Sequence, residues 1–256
     1  LCTAEPIVDV QLPGRNRVSF KNVTRDKAGV VIRCLKEAVA EKQDVLGQFN
    51  HSENKSWDGV DDISRHPFFA KQHRVVLKQC GKINPESVEE YIAHGGYAGL
   101  KKVLDTCTAE TVCDSIEKSG LRGRGGGGFL TGKKWQFARV QNADQKYLIC
   151  NADEGDPGAF MDRAVIEGDP HSVIEGMTLG AFAIGASHGY IYCRAEYPLA
   201  LRRLNESIAK ARAYGLLGEN ILGSGFSFDL DVRAGAGAFV CGEETALIAS
   251  IEGDRG

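Results

Sequence analysis

Between Gly120 and Trp135 the chain reads GLRGRGGGGFLTGKKW, with six glycines closing around Arg122 and Arg124. Glycine lacks a Cβ and reaches backbone conformations that side chains forbid, so such a run lets main-chain N–H groups approach a ligand closely. Those groups can cradle an anion or lie against a flat ring. Phe129, Trp135 and Phe137 add faces for stacking, and Lys133 and Lys134 add cations. Gly123, Gly125 and Gly128 match the GxGxxG dinucleotide pattern letter for letter. That fingerprint belongs between a strand and a helix, and here a helical stretch over 109–118 precedes it, so the ordinary dinucleotide reading is rejected. A loop chosen only for flexibility is the plainer alternative, but it would not need rings and bases at this density.

Two further clusters follow. Asn151-Ala-Asp-Glu-Gly-Asp-Pro-Gly158 comes directly after the apolar run 146–150, which reads as a short strand. Carboxylates and an amide at a strand's carboxyl end are placed to accept from sugar or polyol hydroxyls and from ring N–H groups. A calcium loop would need a different alternation of ligands. A general acid–base pair stays open, because nothing fixes the distance to a partner carboxylate. A plain turn accounts for Pro157 and Gly158 and leaves Asp153 and Glu154 unexplained. The third cluster, AGAGAFVCGEET over 234–245, sits where a strand passes into a helix. Glu243 and Glu244 fall in that helix's first turn, where the macrodipole favours negative charge, so capping alone could account for them. It does not account for a third glycine- and carboxylate-rich corner.

The rest of the chain supplies a scaffold for these corners. Residues 146–150, 189–193 and 229–233 read as strands, separated by helices over 162–186 and from Pro198 to Gly215, with a last helix over 243–251. Such alternation predicts a parallel sheet covered on both faces, with ligands beyond the carboxyl ends of its strands. Ahead of it, helices are expected from Asn84-Pro85-Glu86, around 100–104 and over 109–118. Nearer the start, 6–10 and 17–20 read as strands about a turn at Pro13-Gly14, and Thr24 is expected to cap a helix through Val30, Val31, Leu35, Ala38 and Val39. The polar, aperiodic stretch 47–64 reads as a linker. The longest uncharged run, Gly176 to Cys193, contains five glycines or serines and a histidine, and reads as a buried helix followed by a strand rather than a membrane span. A 43% hydrophobic fraction with net charge -3 describes a globular protein and gives no electrostatic case for nucleic acid or an acidic membrane. The eight cysteines form no CxxC and no zinc-site spacing with histidine, so reduced thiols in a cytoplasmic protein are expected.

Four motifs in order make the sequence recognisable: GLRGRGGxGF-x-TG-x-KW, NADE-x-[ED]PG-x-F-x-DR, GYIY-x-R-x-EY and GAGA-[YF]-x-CGEETAL. Over about residues 65–256 the chain resembles the family of the F subunit of NADH-quinone oxidoreductase, the flavin- and NADH-binding component of respiratory complex I. It is similar equally to relatives in NAD(P)-reducing and electron-bifurcating hydrogenases and NAD-dependent formate dehydrogenases. The resemblance implies an α/β, Rossmann-like parallel sheet binding FMN and NAD(H). Carried over by motif, Gly123, Arg124, Gly125, Gly126, Gly128, Lys134, Asn151, Asp153, Glu154, Gly242 and Glu243 would hold the flavin. Phe129 and Phe137 would lie near NADH, and Asp156 and Glu244 would address its ribose or carboxamide. Hydride transfer from NAD(P)H to FMN, with no protein acid or base required, would be followed by release of single electrons to iron–sulfur clusters. Gly127 stands where the family usually has alanine, and Phe239 where it has tyrosine, so one hydroxyl contact is missing. Asp156, where complex I often has glutamate, would disfavour a 2′-phosphate and so favours NADH over NADPH.

The implied organisation is a C-terminal remnant of a thioredoxin-like [2Fe–2S] domain over 1–46, the linker 47–64, a helical segment 65–119 and the FMN/NADH domain 120–256. Cys2 would be the last ligand of that [2Fe–2S] cluster, whose other ligands lie outside this sequence. Both ends read as cut, and the family continues with a further domain holding a [4Fe–4S] cluster. Implied partners are the iron–sulfur subunits of a hydrogenase-like or complex-I-like assembly, including a thioredoxin-like [2Fe–2S] subunit. The expected location is cytoplasmic, peripheral to a membrane only through such partners. The alternative is a non-catalytic flavin- or nucleotide-binding scaffold within a larger redox complex, and a hydrolase built on Asp153 and Glu154 ranks third.

Overall fold

Val8, Val10, Val18 and Phe20 alternate with polar neighbours. In the computed structural model, which describes residues 2–156, 158–236 and 238–255 and leaves the Cys2 side chain aside, they line a small sheet. Strands β1 (Val8–Val10) and β2 (Arg17–Phe20) pair antiparallel, with Val8 opposite Phe20 and Val10 opposite Val18. Helix α1 (Ala28–Glu37) starts later than Thr24 implied, because residues 25–27 form a 3-10 turn and the Thr24 side chain makes no capping bond.

The expected linker 47–64 is corrected. A third strand, β3 (Val45–Phe49), lies antiparallel to β2 with Arg17 opposite Phe49. Its one polar side chain, Gln48, is buried and paired rather than solvated. The Gln48 amide donates to the carbonyls of Trp57 (3.1 Å) and Val60 (2.6 Å) and accepts from Asn16 (3.0 Å). The Trp57 indole donates to the Asn16 carbonyl at 2.6 Å. Trp57 and Val60 complete a core with Val10, Val18, Phe20, Cys34 and Val45. The first compact unit therefore runs to residue 75, and the second begins at 76.

In the second unit α2 (Val88–Ala93) begins after the Asn84-Pro85 turn, where the Ser87 hydroxyl accepts from the Glu90 N–H. Helices α3 (Ala98–Thr106), α4 (Ala109–Lys118) and α5 (Thr131–Arg139) follow, with a Thr108–Thr111 capping box opening α4. Then come β4 (Tyr147–Ala152), α6 (Met161–Gly168), α7 (Pro170–Ile184), β5 (His188–Arg194), α8 (Pro198–Ala213), β6 (Asp229–Gly235) and α9 (Glu244–Glu252). Pro170 and Pro198 occupy first-turn positions, where a missing N–H costs nothing. The strands form the expected parallel sheet in the order β4-β5-β6.

Side-chain alternation divides that sheet between two cores. Leu148, Cys150, Ala152, Ile191, Cys193, Leu230 and Val232 join Ile174, Met177 and Ala181 of α7 and Leu204 and Ile208 of α8. One residue out of step, Ile149 and Tyr192 join Cys241, Leu247 and Ile251 on the α9 side. Among the described residues no helix is long and apolar enough to cross a membrane, and no group of three or more His, Cys, Asp or Glu could hold a metal. Cys34, Cys107, Cys113, Cys150, Cys193 and Cys241 are free thiols.

A buried polar cluster ties α2 and α3 to α7. The Tyr91 hydroxyl donates to Glu175 at 2.7 Å, and the same carboxylate accepts from the N–H groups of Tyr97 and Leu100. His171 Nδ1 lies 2.9 Å from the Tyr97 hydroxyl, while its Nε2 has no partner among the described residues. Burial pushes the His171 imidazole down to about 4. The folded protein thus keeps it neutral while the unfolded chain takes up a proton below about 6.5, so its contribution is present above that pH and is lost as pH falls toward 4. About 3 kcal/mol of stability should vanish across that window and be retained in His171→Asn, as denaturant unfolding at stepwise pH would measure. Asp169, whose carboxyl burial pushes up, works in the opposite direction in both proteins and cancels from the comparison.

Candidate functional site

Ala152 pairs with Cys193 and Cys193 with Ala234, so the loops after β4, β5 and β6 leave the sheet at one edge. Two contacts draw the three sequence corners together there. The Asn151 amide donates to the Gly242 carbonyl at 2.9 Å, joining the second corner to the third. Lys134 Nζ lies 2.9 Å from Glu244 Oε2, joining the helix after the glycine loop to α9. Gly155 packs so closely on Phe239 that an added Cβ would sit 3.0 Å from the ring.

Asp153 is the electrostatic centre of this edge. It is only 6% exposed, and neither carboxylate oxygen has a hydrogen-bond partner among the described residues. Burial pushes its carboxyl above the usual range, with the Arg194 cation pulling the other way. A desolvated, unpaired acceptor is costly to keep. Such a group fits a ligand that brings hydroxyl or N–H donors. Asp156 is exposed and its carboxylate is likewise without a partner among the described residues.

The glycine loop is pinched at its neck rather than loose. Thr131 N–H donates to the Leu121 carbonyl and Gly123 N–H to the Phe129 carbonyl, each at 2.9 Å, and the Arg122 guanidinium donates to the Gly128 carbonyl. Between these ties Gly126 (φ +105°) and Gly128 (φ +60°) take backbone angles that suit glycine. Arg124 stands exposed with no partner among the described residues. Phe129, Phe137 and Phe239 present bare rings, 52%, 59% and 72% exposed, with the first two centred 6.3 Å apart. The edge is an open corner. A cavity of about 210 Å³ occurs instead in the first unit, lined by Lys21, Lys42, Arg65 and His66 among others.

Two predicted ligands turn out to be occupied by the protein itself. Glu154 accepts from the N–H groups of Met161, Asp162 and Arg163, capping α6. Glu243 accepts from Thr245 and Ala246 N–H, capping α9, and those bonds hold its carboxyl below the usual range. The capping alternative is therefore realised for Glu243, while Glu244 pairs with Lys134. Sequence reasoning missed Arg194 and Tyr197, which flank this corner from the end of β5. Their place just past a strand's carboxyl end was the available signal. The side chain of Cys2, the expected cluster ligand, lies outside the described residues.

Gly132 marks where α5 closes on α4, since a Cβ there would meet the Glu117 backbone nitrogen at 2.3 Å. Gly132→Ala should cost about 2 kcal/mol in urea unfolding. Gly127→Ala, where a Cβ meets nothing within 4 Å, should change stability by less than about 0.5 kcal/mol.

The chain is similar to known proteins. The model of the family described as Nuo51 FMN-binding domain matches residues 116–256. The chain is 63% identical over 186 residues to the NADP-reducing hydrogenase subunit HndC of Solidesulfovibrio fructosivorans, covering 73% of this chain and 38% of that protein. It is 53% identical over 182 residues to the F subunit of the NADH-quinone oxidoreductase of Aquifex aeolicus, covering 71% and 42%. Among solved structures it is similar to a chain of the NAD+-reducing [NiFe]-hydrogenase in the H2-reduced state, with TM-score 0.55 and 29% identity over 96% of this chain and 36% of that one. The matched region thus spans about two fifths of these relatives' lengths.

Proposed function

The chain belongs to the Nuo51 FMN-binding domain family, and on that basis we propose that it is the NADH-oxidising, FMN-binding portion of a multisubunit oxidoreductase. The observation that carries this proposal is Asp153, a buried carboxylate with no protein donor among the described residues, set at the carboxyl edge of a parallel sheet. The residues present fit FMN. Asp153 would accept from the ribityl hydroxyls, with Asn151 and Gly242 tied together beside it. Arg124, Lys134 and the N–H groups of Gly125, Gly126 and Gly128 would meet phosphate or the ring's negative charge, with Gly123 held at the neck of the loop by the Phe129 carbonyl.

FMN, when bound, supplies the exchange between nicotinamide's two-electron chemistry and the one-electron chemistry of iron–sulfur clusters. The chain's own work is orientation. Phe129 and Phe137 offer ring faces for NAD(H), and Asp156 a carboxylate for its ribose, which favours NADH over NADPH. Lys134 and Glu244 neutralise one another across the corner in an exposed pair that gives way at little cost when ligands arrive. Electrons would leave to the iron–sulfur subunits of a hydrogenase-like or complex-I-like assembly, and use of NAD(H) fits a cytoplasmic location. Residues 1–46 would belong to a thioredoxin-like [2Fe–2S] domain.

The purified chain, supplied with FMN and desalted, should keep a bound-flavin absorbance band that NADH bleaches without oxygen, and more slowly if NADPH replaces it. Retention without bleaching would favour the non-catalytic scaffold. No retention, in this chain and in its full-length form alike, would overturn the flavin assignment.

A further inference from the structure

Strand β5 lies between β4 and β6, and its Tyr192 sits opposite Asn151 on one side and Arg233 on the other. Residues paired across a sheet share a face, so Tyr192 projects beside Asn151 toward α9. The two side chains reach different parts of the third corner. Asn151 holds the Gly242 carbonyl at 2.9 Å. The Tyr192 hydroxyl lies 2.9 Å from Ser250 Oγ in the last turn of α9, and the Cys241 thiol lies beside the same hydroxyl. Burial pushes the phenol up, so it remains a neutral hydroxyl. Tyr192 is only 3% exposed, and its ring lies across the end of β6, where a Cβ on Gly235 would meet it at 2.7 Å. Glycine at 235 is thus required by the approach of this ring, which leaves no room for a side chain.

Helix α9 is otherwise lightly held. Leu247 alone among its described residues is fully buried, and it packs with Tyr192, Cys241, Ile149 and Ile251. Gly242 lies just ahead of the helix, so close to the end of β4 that a Cβ there would stand 4.0 Å from the Asp153 carbonyl. Any shift of α9 therefore changes the gap between Gly242 and Asp153. Resting on the flavin assignment above, we propose that Tyr192 is a positioning residue for FMN, fixing Gly242 and α9 against Asp153 through its ring on Gly235 and its hydroxyl on Ser250. It acts through the corner and not by touching the flavin. A corner released from Tyr192 spends part of its time out of place, and its apparent affinity for FMN falls by that fraction.

The test titrates FMN into the flavin-depleted full-length protein with its partner subunits, as wild type, Tyr192→Phe, Ser250→Ala and the double variant. Each single variant should raise the FMN dissociation constant about fivefold, as loss of one neutral hydrogen bond implies. The double variant should go no further than either, because both changes break the same link. Tyr190→Phe, which removes a hydroxyl two residues earlier on the same face, should leave the constant unchanged. If Tyr192→Phe fails to fold, Ser250→Ala, which removes one hydroxyl from a partly exposed helix position, decides alone. A lower melting temperature without FMN, combined with wild-type FMN affinity in the variants, would make the contact purely structural and overturn the proposal. So would weakened FMN binding in Tyr192→Phe with wild-type affinity in Ser250→Ala, the result expected if Tyr192 touched the flavin itself. If the wild-type protein binds no FMN, the flavin assignment falls and this proposal falls with it.

Discussion

Strands β4, β5 and β6 run parallel and in register, so Ala152, Cys193 and Ala234 lie side by side and the loops after them emerge at one edge. A parallel sheet has only one carboxyl edge, and crossover helices must return the chain to the other before each new strand. Helices α7 and α8 do this while burying one face of the sheet under Ile174, Met177, Leu204 and Ile208. Everything that could meet a ligand is thereby concentrated at the remaining edge, at no cost to the core. Asp153 follows directly where β4 stops, buried and without a partner among the described residues.

Around that carboxylate the corner sorts its other charges into structure. Glu154 and Glu243 cap α6 and α9, Glu244 pairs with Lys134, and Arg122 closes the neck of the glycine loop. These contacts use the same chemistry that would bind a phosphate or a hydroxyl, but they are already satisfied. Asp153, Asp156 and Arg124 are among the charged groups from the sequence motifs left without side-chain partners among the described residues. Bare rings at Phe129, Phe137 and Phe239 accompany them. Rigid elements with a few unsatisfied groups at their junction are what a binding site for a large planar cofactor requires.

Much of this was legible in the sequence because punctuation and period agreed. Pro198 and Gly215 bracket α8 as helix physics demands, and the segments 146–150, 189–193 and 229–233 match the three strands to within two residues, while the single helix expected over 162–186 divides at Pro170 into α6 and α7. What escaped was polarity turned inward. Gln48 and Trp57 form a closed hydrogen-bond network with Asn16 around β3, yet on paper they belong to a solvated linker, since composition does not say who pairs with whom. The same limit hid Glu154. A carboxylate beside a strand end and one that caps the next helix are the same letter, and only the α6 N–H groups meeting its oxygens tell them apart. The cofactor's identity came from motif resemblance, which periodicity and spacing alone would not have supplied.

Asp153 offers the most direct measurement, because a ligand-binding role and a structural role predict opposite signs for its removal. Thermal unfolding of wild type and Asp153→Asn, each with and without FMN, reads both at once. A buried carboxylate kept for a ligand burdens the free protein, so Asp153→Asn should melt about 3 °C higher without FMN and lose the FMN-induced rise seen in wild type. A variant that melts lower than wild type and keeps the full FMN-induced rise would contradict the account.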